Sequence, residues 1–315
     1  MNAERITPID INASQAVKYA GAILAERSEQ ARRLKYLGGG SFGRAVGVTL
    51  ENGREYVLKL LLAPDMMEKE CRDLRLLREN CPVRVPAVLY SRPCDDKIPA
   101  DAYAMEKIPG KSAVTDISLF LSSKKRRLGF ADEVTSALHA VHECVNGKFG
   151  DTLCPRHTDW LGLYKPFAQD ILTKTHAAVR RGELSQSILS AAQAAFARFD
   201  DIFCEPVTQA CLIHGDLNVA NIMVDKGRVS GFIDPLNSMY ADREYDLFQF
   251  DNLTGKRFFL ADTYIAKYGA SRNVRAKLAF YGLFNEIYCY FKAGTLFPAI
   301  MRPLVKNMRA QLAAL

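Results

Sequence analysis

Several protein classes are excluded by what the chain has little of. Its eight cysteines include no CxxC pair and lie far apart, several of them inside apolar runs, so they read as reduced thiols rather than as a disulfide or zinc framework. No run approaches the roughly eighteen apolar residues of a membrane span, and the opening MNAERITPIDINASQ is polar where a secretory leader would be apolar. The expectation is a cytoplasmic protein with no membrane association. No repeat or low-complexity tract occurs, and the surplus of basic residues, formally +7, is dispersed. Its densest run, Lys124 to Arg127, has four residues and reads as a solvated helix start, so no nucleic-acid partner is expected. Nor does any segment suggest an obligate protein partner. What is present is ordinary globular composition, 49% hydrophobic and 24% charged, in 315 residues. That length suits one large bilobal domain or two coupled lobes.

The pattern along the chain changes once. An amphipathic helix is expected from about Ser14 to Arg33, followed by the strand-like runs LKYLGG, GRAVGVTL and REYVLKLLL, the last two separated by the hairpin signal Asn52-Gly53. A helix from about Pro64 to Arg78 precedes two further strands, PAVLY and DAYAMEKIPG, and Pro109-Gly110 breaks the pattern. From Val114 helical periodicity dominates, interrupted by ACLIHGD and by the pair NIMVD and VSGFID around Lys226-Gly227. The fold class is therefore α+β: a small antiparallel β-rich lobe with one helix, then a larger helical lobe. Residues 1–33 are expected to form a helical extension, 34–108 the first lobe and 109–315 the second.

Three constellations carry chemistry. The glycine-rich strand-turn-strand GGGSFG includes Gly39, Gly40, Ser41, Phe42 and Gly43, and glycine suits a turn whose amides approach phosphate oxygens. Sixteen positions after Gly43, Lys59 stands between apolar neighbours, where a lysine is costly unless paired. It can clamp nucleotide phosphates if a helix glutamate holds it, Glu70 being preferred and Glu68 the fallback. In HGDLNVAN, after the apolar strand ACLI, Asp216 is followed five positions later by Asn221, and SGFIDP places Asp234 at the end of another apolar strand. Asp216 can take a hydroxyl proton, while Asn221 and Asp234 can ligate magnesium on nucleotide phosphates.

These motifs resemble the aminoglycoside phosphotransferase and choline-kinase-like superfamily of protein-kinase-like fold, whose HGDxxxxN loop stands where protein kinases have HRDxxxxN. The resemblance runs from about Leu34 across nearly the whole remaining chain. It implies an ATP- and Mg2+-dependent transfer to a small hydroxylated acceptor, with Asp216 as catalytic base, Asn221 and Asp234 on the metal, and Lys59 with Glu70 on the phosphates. It implies too that the backbone of Glu106 and Ile108, in AYAMEKIPGK, meets the adenine, and that Asp246, in DREYDLFQF, braces the catalytic loop. Two departures stand out: Ala45 occupies the place of the family's valine, with Val46 one position later, and IDP followed by ADREYDL is most similar to fructosamine-kinase-like and streptomycin-kinase-like branches.

A protein kinase would carry a long activation segment ending in an APE-like motif, whereas only eleven residues separate Asp234 from Asp246 and no APE occurs. A pseudokinase would have lost one of Lys59, Asp216, Asn221 or Asp234. His139 and His142 have no matching metal partner and read as structural, and the lone tryptophan, Trp160, reads as a packing residue. The helix Leu278 to Phe291 is apolar around most of its girth, with Gly282, Asn285, Glu286 and Cys289 as the exception. On the functional reading Glu286 and Asn285 line the acceptor pocket and favour an amine or polyhydroxyl compound.

Overall fold

The computed structural model describes residues 4–252 and 254–315. Helix α1 (Ala13–Glu26) opens the chain, and a reciprocal capping box starts it: Gln15 N donates to Asn12 Oδ1 at 2.9 Å and Asn12 N to Gln15 Oε1 at 2.8 Å. Strands β1 (Ala31–Gly38), β2 (Gly43–Leu50) and β3 (Glu55–Leu61) follow, then α2 (Met67–Asn80), β4 (Val88–Arg92) and β5 (Ala102–Glu106). The five strands form one antiparallel sheet in the order β1-β2-β3-β5-β4.

The first helix is shorter than its periodicity suggests. It stops at Glu26, Ser28 takes a left-handed φ of 56°, and Ala31 to Arg33, expected to be helical, begin β1. The alternation of Leu34 and Tyr36 with Arg33 and Lys35 is a period of two, and pairing with Val48 and Val46 decides the conformation. Ala16, Ala20, Ile23 and Leu24 share one helical face and bury it against Val46, Val48, Leu58 and Leu60 of the sheet. The second helix begins at Met67 rather than Pro64, because Asp65 adopts φ 60° in the preceding turn.

Gly110 marks the passage to the larger lobe. Its φ is +96°, and a Cβ there would lie 2.1 Å from Val224 O, so only glycine lets the crossing backbones touch. The chain then forms β6 (Lys111–Ser112), α3 (Ile117–Phe120), α4 (Lys124–His142), β7 (Val145–Asn146), β8 (Gly150–Asp151), α5 (Trp160–Arg180), α6 (Gln186–Ala197) and α7 (Phe199–Ile202). After them come β9 (Ala210–Ile213), β10 (Ile222–Asp225), β11 (Arg228–Phe232), β12 (Met239–Ala241), α8 (Glu244–Leu247), α9 (Leu260–Tyr268), α10 (Val274–Ala293) and α11 (Pro298–Ala314). Two small antiparallel sheets, β11-β10-β6 and β7-β9-β12-β8, carry the functional loops on this helical base.

Aromatic rings fill the base. Trp160 stacks on Tyr164 at 5.4 Å and donates through Nε1 to Tyr281 Oη at 2.8 Å, which makes it a core residue as its sequence context suggests. Beneath them Lys277, only 3% exposed, meets Asp242 Oδ2 at 2.6 Å and Glu244 Oε2 at 2.8 Å, and Tyr281 donates to the same Asp242 oxygen at 2.7 Å. This buried triad ties α10 to the segment that bears Asp246. Removing its one cation strands two carboxylates, so Lys277→Met is expected to lower unfolding stability by about 3–5 kcal/mol in urea titration. A loss within about 0.5 kcal/mol, the range of surface substitutions, would show that the triad holds nothing together.

Candidate active site

Lys59 lies on the central strand of the first sheet, opposite Ala45 on one side and Tyr103 on the other. Directly opposed residues share a face, so Ala45 faces the cleft with Lys59, while Val46 points into the core beneath α1. The Lys59 ammonium is held twice, 2.8 Å from Glu70 Oε2 and 2.7 Å from Asp234 Oδ1. Glu70 is buried on the inner face of α2 and also accepts from Tyr103 Oη at 2.9 Å, whereas Glu68 is exposed. Only the preferred glutamate therefore pairs with the lysine.

The glycine turn hangs over this pair. A Cβ on Gly39 would lie 2.3 Å from Gly43 O, and one on Gly43 would lie 2.8 Å from Lys59 Cε. Nothing lies within 4 Å of a Cβ built on Gly40, so that position is free of steric demand. Ser41 is exposed, and Phe42 fixes the return by accepting from Leu62 N at 2.9 Å. Arg44, which no motif singles out, holds the turn from behind: its Nη1 donates to Gly40 O at 2.6 Å and Gly43 O at 2.9 Å, and its Nε to Ile11 O at 2.8 Å.

Across the cleft, the loop from β9 to β10 carries HGDLNVAN. Asp246, fully buried, accepts from the backbone N–H groups of His214 and Gly215, both at 2.7 Å. His142 in turn lies 3.2 Å from Asp246 Oδ2 through Nε2 and 2.7 Å from Tyr264 Oη through Nδ1. It is structural, as its sequence context suggests, and its partner is the brace itself. His139 stacks on Tyr268 at 3.7 Å. Asp216 accepts from Asn218 Nδ2 on Oδ1 and from Asn221 Nδ2 on Oδ2, each at 3.1 Å. Ile222 pairs with Phe232, so Asn221 and Asp234 end the same hairpin, and Ile233 N donates to Asn221 O at 2.9 Å. Asp234 sits in the left-handed region at φ 57°, an uncommon conformation for aspartate that turns its carboxylate toward Lys59.

The two aspartates have opposite electrostatics. The Lys59 ammonium holds the Asp234 carboxyl below its ordinary value. Burial, and then the negative charge of Asp234, push Asp216 up to about 8. Environments that separate two nearby carboxyls in this way assign different work to each.

The Asn221 amide nitrogen is committed to Asp216, which leaves its oxygen, with the Asp234 carboxylate, as a hard donor pair suited to magnesium that keeps water and phosphate oxygens. Glu106 ends β5 with its N–H on Ala87 O at 2.8 Å and its carboxylate 2.9 Å from Arg78 Nη1. Ile108 is buried, with its side chain against Gly231 of β11. These two residues are at the junction of the lobes rather than in the Lys59–Asp234 cluster. On α10, Asn285 accepts from Tyr245 Oη at 3.3 Å, and Glu286 is partly buried with its carboxyl raised by desolvation.

Further residues that sequence reasoning missed lock α2 to the larger lobe. Lys69 Nζ contacts Asp73 at 2.5 Å and Ser238 O at 2.7 Å, Thr152 Oγ1 donates to the buried Asp73, and Arg72 Nε donates to Thr152 O at 3.0 Å. The spacing of Lys69 and Asp73 is visible in the sequence, but it is also that of a common surface pair.

The model of APH, the phosphotransferase enzyme family, matches residues 33–281, and the chain belongs to that family. No curated relative matches the chain. Among solved structures it is similar to a thermostable mutant of aminoglycoside phosphotransferase APH(4)-Ia, with TM-score 0.70 and 18% identity over 93% of this chain and 97% of that one. Another mutant of that protein was solved as a ternary complex with ADP and hygromycin B. A protein assigned as a fructosamine-3-kinase, from Thermobifida fusca YX-ER1, gives TM-score 0.64 at 21% identity over 93% and 98% of the two chains. A macrolide 2'-phosphotransferase type I gives 0.63 at 20% over 98% and 99%. At these identities the likeness establishes a common fold.

The raised Asp216 carboxyl has a consequence for stability. Its folded value of about 8 exceeds its ordinary 3.8, so between them the folded state binds the extra proton. Its contribution is fullest at low pH and is lost as pH rises through the folded value. Asp216→Asn is therefore expected to raise the melting temperature, by about 2–4 °C for each kcal/mol relieved, and to do so more at pH 9 than at pH 5. An equal or inverted difference would contradict the electrostatic reading.

Proposed function

We propose that the protein is an ATP- and magnesium-dependent kinase that transfers the γ-phosphoryl group to a hydroxyl of a small molecule of the amino-sugar, aminoglycoside or ketosamine type. The observation that carries this reading is the convergence of Lys59, Glu70, Asp234, Asp216 and Asn221 on one cleft from two lobes. Residues 34–108 form the nucleotide-binding part and 109–315 the part bearing the catalytic loop and acceptor site. The eight free thiols fit a cytoplasmic location.

In this mechanism the Gly39 to Gly43 turn covers the phosphates, Lys59 holds their oxygens while Glu70 fixes its ammonium, and the backbone of Glu106 and Ile108 receives the adenine. Asn221 and Asp234 would hold magnesium, which would supply neutralisation of charge on the phosphate oxygens. The acceptor oxygen bonds to the γ-phosphorus as the bond to the β,γ-bridging oxygen breaks, ADP leaves with that electron pair, and Asp216 takes the hydroxyl proton. A base is most effective when its pKa lies near the working pH, which suits a carboxyl at about 8. Asp246 keeps the loop in register, and Asn285 and Glu286 border the acceptor.

A short Asp234-to-Asp246 segment speaks against a peptide platform, and the intact set of charged residues speaks against a non-catalytic module. Asp216→Asn is expected to retain nucleotide affinity within about threefold while transfer falls by roughly 10²–10⁴. Lys59→Ala should weaken nucleotide engagement and turnover together. In thermal shift, ATP should stabilise the protein with magnesium and lose that effect with EDTA. Unchanged transfer in Asp216→Asn would refute the base assignment, and a nucleotide shift indifferent to metal would refute the metal site.

A further inference from the structure

Beside the catalytic loop opens a cleft of about 600 Å³, bounded by the segment after β8, the segment after Asp234 and the C-terminal half of α10. It adjoins the catalytic loop through a backbone contact. Asn237, in its wall, packs on Gly215, where a Cβ would lie 2.5 Å from the Asn237 carbonyl carbon, and Gly215 adjoins Asp216. Tyr245 and Tyr288 supply aromatic surface.

Among the residues that line this cleft, cations outnumber carboxylates. Lys69 is neutralised by Asp73 at 2.5 Å and lies 3.8 Å from Asp151, the one carboxylate in the lining. Three other cationic or protonatable side chains remain, Arg156, His157 and Lys292. Arg156 Nε meets only the Cys154 sulfur, at 3.2 Å, and the His157 ring has no hydrogen bond or ion pair among the described residues. The Lys292 amine is 5.9 Å from the Tyr288 ring centre; burial holds its pKa below the ordinary lysine value, and the Glu4 carboxylate acts in the opposite direction. A guanidinium, an amine and an imidazole that line one cleft can hold a carboxylate or phosphate, and the same charges disfavour a polycation. Glu286 precedes Lys292 by six residues, roughly 9 Å along the helix axis, far enough for an amine and an acid of one compound to be held separately.

We propose that this cleft is the acid-binding half of the acceptor site: the acceptor carries a carboxylate or phosphate, held by Arg156, His157 and Lys292, while its hydroxyl reaches Asp216. This rests on the kinase reading and narrows it, away from polycationic aminoglycosides and toward hydroxylated acids and amino acids. Aromatic walls and an anion clamp fix the orientation that transfer requires.

The test is ADP release by the full chain with MgATP and matched acceptors: D-glucosaminate against D-glucosamine, D-gluconate against D-glucose, glucose 6-phosphate against glucose, and kanamycin as a polycation. In at least one pair the acidic member should have kcat/KM about tenfold or more above its partner, and the carboxylate and phosphate pairs separate the two sources of charge. Arg156→Gln combined with Lys292→Gln should raise the KM for that acceptor about tenfold and leave kcat and the KM for ATP within about threefold. Arg156→Glu should shift preference toward the amine. The proposal is overturned if kanamycin or the neutral or amine members are used equally well or better, if the double variant leaves the acceptor KM unchanged, or if no acidic member reacts although MgATP still shifts the melting temperature. Loss of the MgATP shift in the wild type would instead remove the kinase reading, and this proposal with it.

Discussion

The site depends on one shared cation. Lys59 rises from the middle of a sheet, and its ammonium is satisfied by a glutamate from its own lobe and an aspartate from the other. A lysine so enclosed would be costly without partners, so the pairing constrains everything around it. The glycine turn must come down over its stem without side chains, α2 must present Glu70 inward, and Asp234 must turn into the left-handed region to reach it. The contacts of Lys69, Arg72 and Asp73 with Thr152 and Ser238 keep α2 at that distance from the larger lobe. They make the Lys59–Glu70 pair a consequence of lobe packing as much as of local sequence.

A second constraint acts on the opposite wall. Asp246 has no solvent exposure and spends its two oxygens on consecutive backbone N–H groups of the HGD turn, with His142 behind it. The loop is thereby fixed by its backbone, and the Asp216 side chain is left to the two asparagines that follow it. Burial raises the Asp216 carboxyl, and the negative charge of Asp234, which Lys59 keeps ionised, adds to that rise. One lysine in the smaller lobe thus acts on the larger through Asp234.

Much of this was legible in the chain. Lys59 is conspicuous because a charge interrupts an apolar strand, and the pair Asp216 and Asn221 because polar residues leave a buried strand at fixed spacing. The hairpin at Asn52-Gly53 and the break at Pro109-Gly110 were visible because glycine and proline constrain backbone conformation directly. Other features were hidden for definite reasons. The limit of α1 depends on the cross-strand pairing of Leu34 and Tyr36, which competes with a helical pattern over the same residues. Arg44 and Lys69 look like surface cations, and their partners are carbonyls or come from distant segments. The face taken by Ala45 rather than Val46 is a matter of strand register, which a sequence of alternating small and branched residues leaves open.

On the proposed function these groups receive a magnesium-bound nucleotide between the lobes. A crystal structure of the protein with AMP-PNP and magnesium tests it most directly. The metal is expected on the Asp234 carboxylate and the Asn221 amide oxygen, with Lys59 on phosphate oxygens and still paired with Glu70. Nucleotide bound outside the cleft, or a metal held by neither Asn221 nor Asp234, would contradict it.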